Sequence, residues 1–276
     1  MSHTLQENYG PWALIAGGSE GIGLCFARLL AAAGINLVLL ARREEPLLVA
    51  QRQLRGDFPV EVRIRTLDLS APGLEEQLAG ITDNLDIGLL IYNAGAMHGA
   101  GLFLDTPLAQ ARKLIGLNCT GPVTFCHHLG NHLRRRGRGG ILLMSSMSGL
   151  TGGAYIATYA ATKAFEIVLA ESLWAELAPG GLHVLGLVAG ATDTPAMTAS
   201  GVRFDPGHAM DPMLVAREGL AHLPYGPLHV AGDSNRQVAP LLRGEDRRQS
   251  VALMSAGSAA LYGLPVPLLP QADAGR

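Results

Sequence analysis

The sequence has few cysteines and no excess of charge of either sign. Its 276 residues include only three cysteines, and none of them shows the C-x-x-C spacing of a zinc or redox motif. A disulfide framework and a metal site are therefore not expected, and a reducing, cytoplasmic location fits best. Basic and acidic residues number 21 and 23, so the net charge of -2 gives no bulk attraction to nucleic acid.

Long hydrophobic runs are also missing. No segment approaches the roughly 18 uninterrupted apolar residues of a membrane span. The N-terminus lacks the basic and apolar regions of a signal peptide, so neither export nor a membrane span is expected. Aromatic residues make up 5% of the chain whereas glycine contributes 35 residues, a composition typical of close helix-on-sheet packing in α/β folds.

Short apolar runs alternate with segments of helical periodicity. The runs predict strands over residues 12–16, 37–41, 60–67, 89–92, 141–144, 183–188 and, more briefly, 227–231. Helices are predicted over residues 21–34, 117–136 and 156–177, with a short one beginning at 212 and an irregular tail over 261–276. Because the runs are apolar on both faces, helices must cover both sides of a parallel sheet. We therefore predict one doubly wound, Rossmann-type α/β domain over residues 1–276, with a seven-stranded parallel sheet.

A glycine-rich loop lies between the first predicted strand and the helix that follows it. Residues 16–23 read Ala-Gly-Gly-Ser-Glu-Gly-Ile-Gly, which is G-x-x-x-G-x-G spacing. Glycines here let backbone amides approach a pyrophosphate, and the helix N-terminus adds positive charge. Outside this context, a plain tight turn would explain the loop equally well. Within it, the loop predicts a dinucleotide site formed by Gly17, Ser19, Glu20, Gly21, Ile22 and Gly23.

The residues after the second predicted strand favour a phosphorylated cofactor. An acidic side chain at this point would hold the ribose hydroxyls of NAD, but the chain has Arg42 and Arg43. Guanidinium groups match phosphate oxygens, so NADP(H) is preferred, and NAD(H) is not excluded. Alternatively, both arginines pair with Glu44 and Glu45 at the surface. Asp68, after the third strand, is expected to reach the adenine or to cap a turn.

Tyr159 and Lys163 form a third candidate group. They are four residues apart in a helical segment, so both side chains leave the same helix face. An ammonium beside a phenol favours the phenolate and thereby prepares the tyrosine for proton transfer. Taken alone, the same spacing is common among residues that only pack at a surface.

Taken together, these motifs resemble the short-chain dehydrogenase/reductase family over residues 11–195. Ser146 lies thirteen residues before Tyr159, and Tyr-Ala-Ala-Thr-Lys at 159–163 matches the family signature Tyr-x-x-x-Lys. The glycine loop, Asn-Ala-Gly at 93–95, Asn118, and Gly190 with Thr194 match further family motifs in order.

The resemblance implies an oxidoreductase that interconverts a carbonyl and a secondary alcohol. Tyr159 would transfer the proton, Ser146 would hold the substrate oxygen, and Asn118 would anchor a water that links Lys163 to solvent. Lys163 would also bind the nicotinamide ribose, and the cofactor would carry the hydride. The implied cofactor contacts also include Asp68, Leu69, Asn93, Ala94, Gly95, Gly190, Thr192 and Thr194. Family members often form homodimers or homotetramers through the helices that correspond to residues 117–136 and 156–177.

Several positions depart from the family pattern. Ala16 replaces a usual threonine, Tyr92 replaces the first asparagine of Asn-Asn-Ala-Gly, and Ala189 replaces the proline before Gly190. Glu20 stands where many NADP-dependent members have a basic residue, so the preference for NADP rests mainly on Arg42.

The substrate is expected at the loops over residues 96–102, 147–158 and 191–213, within a substrate-loop region of about 190–225. Their methionine, leucine and tyrosine side chains and their few charges favour an apolar or bulky carbonyl or alcohol. Substrate contacts are predicted for Ser146, Met147, Tyr155 and Met197. Two alternatives stay open: a 3-oxoacyl thioester reductase, which shares every catalytic residue, and a non-catalytic NADP-binding regulator.

Overall fold

A parallel sheet of seven strands forms the centre of the structure. The computed structural model describes residues 2–95, 99–200, 202 and 209–268. The strands are β1 (Trp12–Ala16), β2 (Asn36–Ala41), β3 (Val62–Thr66), β4 (Ile87–Tyr92), β5 (Gly139–Ser146), β6 (Leu182–Ala189) and β7 (Leu228–Val230). They lie in the order β3-β2-β1-β4-β5-β6-β7, and every neighbouring pair is parallel. The predicted seven-stranded, doubly wound α/β fold is confirmed.

Helices connect the strands and cover both faces of the sheet. In the described part of the chain they are α1 (Ser2–Tyr9), α2 (Gly21–Ala32), α3 (Glu44–Asp57), α4 (Leu74–Thr82), α5 (Leu108–Ile115), α6 (Gly121–Arg136), α7 (Ala157–Leu177), α8 (Pro195–Ala199), α9 (Pro212–His222), α10 (Asp233–Leu242) and α11 (Arg247–Tyr262). None of these helices has both the length and the apolar character needed to cross a lipid bilayer.

The core lies in two layers, one on each face of the sheet. Ile15 of β1 packs with residues of α2, α3 and α9, whereas its neighbour Leu14 packs with residues of α4, α6 and α7. The side chains of Leu14 and Ile15 are both fully buried. They point to opposite faces of the sheet, as successive residues of a strand do, and helices cover both faces. This alternation explains why the strands read as unbroken apolar runs in the sequence.

The helix predicted over residues 117–136 begins earlier and contains a widened turn. Residues Gly116–Thr120 form a π-helical turn between α5 and α6. The Tyr92 hydroxyl donates a hydrogen bond to the Leu117 carbonyl oxygen at 2.7 Å, inside this turn. Gly121 makes room for the phenol, since a Cβ there would lie 2.1 Å from the Tyr92 hydroxyl oxygen. Tyr92, a departure from the family pattern, therefore provides a partner for a carbonyl of the widened turn.

The region after residue 190 is more helical than the sequence analysis predicts. Val215 of α9 is buried against the core beside α2, so this half of the expected substrate-loop region packs on the sheet. The tail expected from residue 261 begins later, because α11 continues to Tyr262 and ends at Gly263 in the left-handed conformation. Residues 269–276 of that tail lie outside the described residues.

Candidate active site

The glycine loop leaves β1 at the point where the strand order reverses, between β2 on one side and β4 on the other. The Gly17 amide donates to the Leu40 carbonyl oxygen at 2.7 Å, and Asn93 Nδ2 donates to the Gly17 carbonyl oxygen at 2.8 Å. Gly17 has a φ of +80°, a conformation that favours glycine. The ends of β2 and β4 therefore hold the loop open in the crevice where doubly wound sheets bind ligands.

The loop has no room for side chains at its glycines. A Cβ on Gly23 would lie 1.9 Å from the Gly17 carbonyl oxygen, and one on Gly17 would lie 2.9 Å from the Ala94 Cα. Glu20 occupies the N-cap of α2 but makes no side-chain capping bond to the first-turn amides of Gly21, Ile22 and Gly23. Ser19, which precedes it, is half-buried in the same loop. A close backbone turn opening onto uncapped helix amides fits a pyrophosphate.

The segment after β6 contacts the glycine loop. A Cβ on Gly21 would lie 3.0 Å from the Thr194 Cγ2 atom, so the two loops are in contact. The Thr194 hydroxyl accepts a hydrogen bond from the Met197 amide and caps α8, and Thr192 donates to the Gly190 carbonyl oxygen at 3.0 Å. Thr194 thus contacts the glycine loop, whereas Gly190 lies against Asn235 of α10.

The two arginines after β2 have different environments. Arg43 forms an ion pair with Glu20, not with the neighbouring glutamates that the sequence offered as partners. Arg42 is exposed and makes no hydrogen bond or ion pair to the described part of the chain. The charge of Glu20 is therefore offset by Arg43, and Arg42 stays available for a phosphate.

Asp68 caps a turn, the second of its two expected roles. Its Oδ1 atom accepts hydrogen bonds from the Ser70 hydroxyl at 2.7 Å and the Ser70 amide at 3.0 Å. These bonds lower the pKa of the Asp68 carboxyl. The Leu69 side chain is buried in the core, so only its backbone is available to a cofactor.

Lys163 and Tyr159 project from one face of α7. The Lys163 Nζ atom lies 5.9 Å from the centre of the Tyr159 ring. Lys163 is 4% exposed, and its Nζ donates to the Met144 carbonyl oxygen of β5 at 2.8 Å. Burial lowers the pKa of Lys163, but the charge and hydrogen bond of Glu166, together with Tyr159 and Cys119, outweigh burial, so the pKa is raised overall.

Asn118 occupies the π-helical turn and faces Lys163. Its Nδ2 atom donates to the Thr162 hydroxyl at 3.0 Å, whereas its buried Oδ1 atom has no hydrogen-bond donor among the described residues. A Cβ on Gly95 would lie 3.0 Å from Lys163 Nζ and 3.7 Å from Asn118 Oδ1. The ends of β4, the widened turn and α7 therefore converge, and a buried acceptor without a donor suits a bound water.

The predicted substrate residues Ser146, Met147 and Tyr155 lie from the end of β5 to the start of α7, and Met197 lies on α8. Ser146 ends β5, and its hydroxyl oxygen accepts from the Ser148 amide at 3.2 Å, which leaves its own proton to donate. Met147 packs partly against the cluster around Leu150, while Met197 is half-buried on α8. Tyr155 donates its hydroxyl hydrogen bond to the Pro265 carbonyl oxygen, so its ring rather than its hydroxyl is left for a substrate.

A groove of about 450 Å³ opens beside Tyr159. Its apolar wall comes from Phe103, Leu104, Leu108, Leu114 and Tyr155. The sequence predicts a substrate site at the loops but gives no sign of α5, whose amphipathic residues carry no catalytic signal. Residues 96–98, 201 and 203–208 of the expected substrate loops lie outside the described residues.

The C-terminal helix also reaches the site, which the sequence analysis did not predict. The Ser255 hydroxyl accepts a hydrogen bond from the Ala154 amide at 3.0 Å, and Arg247 donates to the Thr151 hydroxyl at 2.8 Å. Burial raises the pKa of Tyr262, at the end of α11, to about 12. Within the described residues, no cluster of three or more histidine, cysteine, aspartate or glutamate side chains could hold a metal ion.

Comparison with known proteins agrees with this geometry. The family model described as short chain dehydrogenase matches residues 11–202. A 7beta-hydroxysteroid dehydrogenase of Collinsella aerofaciens is 33% identical over 196 residues, covering 71% of this chain and 74% of that protein. A very-long-chain 3-oxoacyl-CoA reductase of Podospora anserina is 36% identical over 179 residues, covering 63% of this chain and 53% of that protein.

Solved structures show the same similarity. A 7beta-hydroxysteroid dehydrogenase structure superposes with a TM-score of 0.84 at 29% identity, covering 91% of this chain and 98% of that chain. A short-chain dehydrogenase of Sphingobium yanoikuyae in complex with NADPH gives a TM-score of 0.73 at 29% identity, covering 80% and 87% of the two chains.

The chain belongs to the short-chain dehydrogenase/reductase family. It is an oxidoreductase acting on CH–OH groups, and it uses a nicotinamide cofactor. The expectation of an enzyme is confirmed, and the non-catalytic regulator is set aside.

Proposed function

We propose that the protein is an NADP(H)-dependent reductase of bulky, apolar ketones, or the corresponding dehydrogenase of secondary alcohols. The observation that carries this proposal is the convergence of Tyr159, Lys163 and Asn118 beside an apolar groove of about 450 Å³. A groove of this size suits a ligand much larger than a short-chain acid. The similarity to a 7beta-hydroxysteroid dehydrogenase supports a rigid, polycyclic substrate.

The proposed chemistry uses each group in one role. When bound, the cofactor supplies or accepts the hydride. The Tyr159 hydroxyl donates a proton to the carbonyl oxygen, and the Ser146 hydroxyl donates a hydrogen bond to the same oxygen. Lys163 is fixed by the Met144 carbonyl oxygen and is assigned the contact to the nicotinamide ribose hydroxyls. The Oδ1 atom of Asn118, a buried acceptor without a donor among the described residues, would anchor a water, and that water would link Lys163 to solvent.

A panel of substrates tests this proposal. NADPH oxidation is followed with polycyclic ketones, small charged ketones and 3-oxoacyl thioesters at matched concentrations. We expect the polycyclic ketones to give the highest kcat/KM. A preference for small charged ketones would contradict the proposal.

A second candidate function is reduction of a 3-oxoacyl thioester. The similarity to a 3-oxoacyl-CoA reductase favours it, as do Arg112 and Lys113, two exposed cations on α5, the helix that lines the groove. Such cations suit the phosphates of a thioester carrier. Faster turnover of the thioesters than of polycyclic ketones in the same panel would select this candidate.

The proposed preference for NADP(H) rests on Arg42. Replacing Arg42 with alanine is expected to raise the KM for NADPH about 10-fold, because a guanidinium–phosphate contact contributes about 1.4 kcal/mol or more. The KM for NADH should not change, since NADH lacks the 2′-phosphate. Steady-state kinetics with both cofactors measure this difference.

Arg52→Ala is the matched control for Arg42→Ala. Arg52 is also exposed, but it lies on α3 and pairs with Glu45 at 3.5 Å. Equal losses for NADPH and NADH in Arg42→Ala would argue against a role in 2′-phosphate binding.

We further propose a homodimer or homotetramer in a cytoplasmic setting. Ile115, Val123, Phe165, Val168 and Trp174 of α5, α6 and α7 are each more than a third exposed. Such a patch supports burial against a second copy. Cys25, Cys119 and Cys126 are all free thiols, which supports a reducing compartment. Sedimentation velocity of the full chain checks the assembly, and a monomer would contradict it.

A further inference from the structure

Glu166 is a buried carboxylic acid that the proposed chemistry leaves without a role. It lies one turn after Lys163 on α7 and is 1% exposed. Its Oε2 and Oε1 atoms lie 2.8 Å and 3.1 Å from the Lys163 Nζ atom. Together with the Met144 carbonyl oxygen, these two atoms give the three protons of the Lys163 ammonium three acceptors within 3.1 Å.

The other titratable groups that face Glu166 are neutral near pH 7. They are Tyr92 of β4, Cys119 of the π-helical turn, and Cys126 of α6. Burial raises the pKa of Cys119 to about 11 and that of Cys126 to about 12, and it raises the pKa of Tyr92 well above its ordinary value. Among the described residues that face it, Lys163 therefore supplies the charge that balances Glu166.

The ion pair between Lys163 and Glu166 changes the electrostatic field at Tyr159. The Lys163 ammonium lies 5.9 Å from the Tyr159 ring centre and by itself favours loss of the phenol proton. A carboxylate 2.8 Å from the same nitrogen opposes that effect, because its negative charge acts on the phenol through the same water-poor interior. A protonated phenol is the form that donates to a carbonyl, whereas alcohol oxidation needs the phenolate.

We propose that Glu166 is a positioning residue that holds Lys163 and offsets its charge, so that Tyr159 stays a proton donor at mildly alkaline pH. The inference rests on the proposed function, because it assigns Tyr159 and Lys163 the roles given above. In this arrangement the site is suited to carbonyl reduction across a wider pH range than the Tyr159–Lys163 pair alone would allow.

Burial of Glu166 also sets the pH below which its carboxyl no longer offsets the charge of Lys163. Desolvation raises the pKa of Glu166, although Lys163 opposes the shift. As the pH falls, Glu166 becomes protonated and stops offsetting Lys163. Because the pKa of Glu166 is raised to about 7, wild type and a neutral variant should differ at alkaline pH and converge as the pH falls below about 7.

Glu166→Gln tests the proposal, since it removes the charge and keeps the size and a hydrogen-bond acceptor. The pH midpoint at which ketone reduction declines should fall by about one unit. The rising limb of alcohol oxidation should move in the same direction. Glu166→Asp keeps the charge and should return both midpoints toward wild type. Glu176→Gln is the matched control, because Glu176 is exposed on the same helix, ten residues further on.

A spectroscopic titration gives a readout that does not need turnover. Phenolate absorbance near 295 nm is titrated in the full chain, and the same titration of Tyr159→Phe is subtracted to isolate Tyr159. Glu166→Gln, corrected with Glu166→Gln/Tyr159→Phe, should show the Tyr159 phenolate at lower pH than wild type does.

The two readouts separate failure of this inference from failure of the proposed function. Unchanged midpoints in Glu166→Gln, with active wild type and inactive Tyr159→Phe, would overturn the role of Glu166 alone. A lower rate midpoint without earlier phenolate would also overturn it, because Lys163 would then be the group losing the proton. A shifted phenolate titration in a protein that turns over no carbonyl substrate would support the role of Glu166 and overturn the proposed function.

Discussion

Tyr159→Phe is expected to lower kcat for NADPH-dependent ketone reduction by about 10²- to 10⁴-fold, the usual contribution of a positioned general acid. The substitution removes one hydroxyl and leaves the ring in place. Lys163 keeps its hydrogen bonds to Met144 and Glu166, so the fold and the cofactor site should be unaffected. Single-turnover kinetics at saturating NADPH measure the loss, and fluorescence titration checks that the Kd for NADPH is unchanged.

Tyr225→Phe is the control for the Tyr159 experiment. Tyr225 is 74% exposed and lies in the turn after α9, away from the catalytic group. Removal of the Tyr225 hydroxyl should leave kcat at the wild-type value. Equal turnover by wild type and Tyr159→Phe would show that another group donates the proton.

Gly23→Ala is expected to weaken NADPH binding by about 100-fold or more, equivalent to about 2.7 kcal/mol. The new Cβ would lie 1.9 Å from the Gly17 carbonyl oxygen and 2.7 Å from Asn93 Nδ2. Because both neighbours belong to the loop and its anchor, the loop must shift away from the position that accepts a pyrophosphate. Fluorescence titration with NADPH measures the Kd, and thermal unfolding reports any accompanying loss of stability.

Gly80→Ala shows whether the Gly23 effect is local. Gly80 lies within α4, where an added Cβ meets no atom within 4 Å. Alanine favours helix more than glycine does, by about 1 kcal/mol, so this variant should be at least as stable as wild type. NADPH affinity in Gly23→Ala equal to that in Gly80→Ala would exclude the loop as the phosphate site.

The strands and their alternation with helices could be predicted from the sequence, because both depend on patterns among neighbouring residues. Apolar runs buried on both faces identify strands, and the predicted strand over residues 141–144 lies inside β5 as observed. Tyr159 and Lys163 were accessible because helix spacing places them on one face, whereas Ser146 was identified by its family spacing of thirteen residues from Tyr159.

Features that depend on contacts between distant segments were not accessible. The π-helical turn at Asn118 involves Tyr92, a residue of β4 that meets the turn only in the folded chain. The ion pair of Arg43 with Glu20 forms only where two loops meet in the folded chain. From the sequence, Glu44 and Glu45 are nearer candidate partners. Glu166 is different, because its position three residues after Lys163 on a helix was a usable signal.

The contacts between α11 and the loop before α7 connect the C-terminal segment to the proposed substrate groove. Thr151 and Ala154, just before the catalytic helix, bind Arg247 and Ser255, about a hundred residues later in the chain. The family model ends at residue 202, so these later partners lie beyond the part shared across the family. Exchange of the C-terminal segment is therefore expected to act on the proposed substrate groove through Tyr155, which lines it and donates to Pro265, without replacing Ser146, Tyr159 or Lys163. In evolution or in protein engineering, a new substrate range would then arise from the end of the chain, with the same catalytic centre reused.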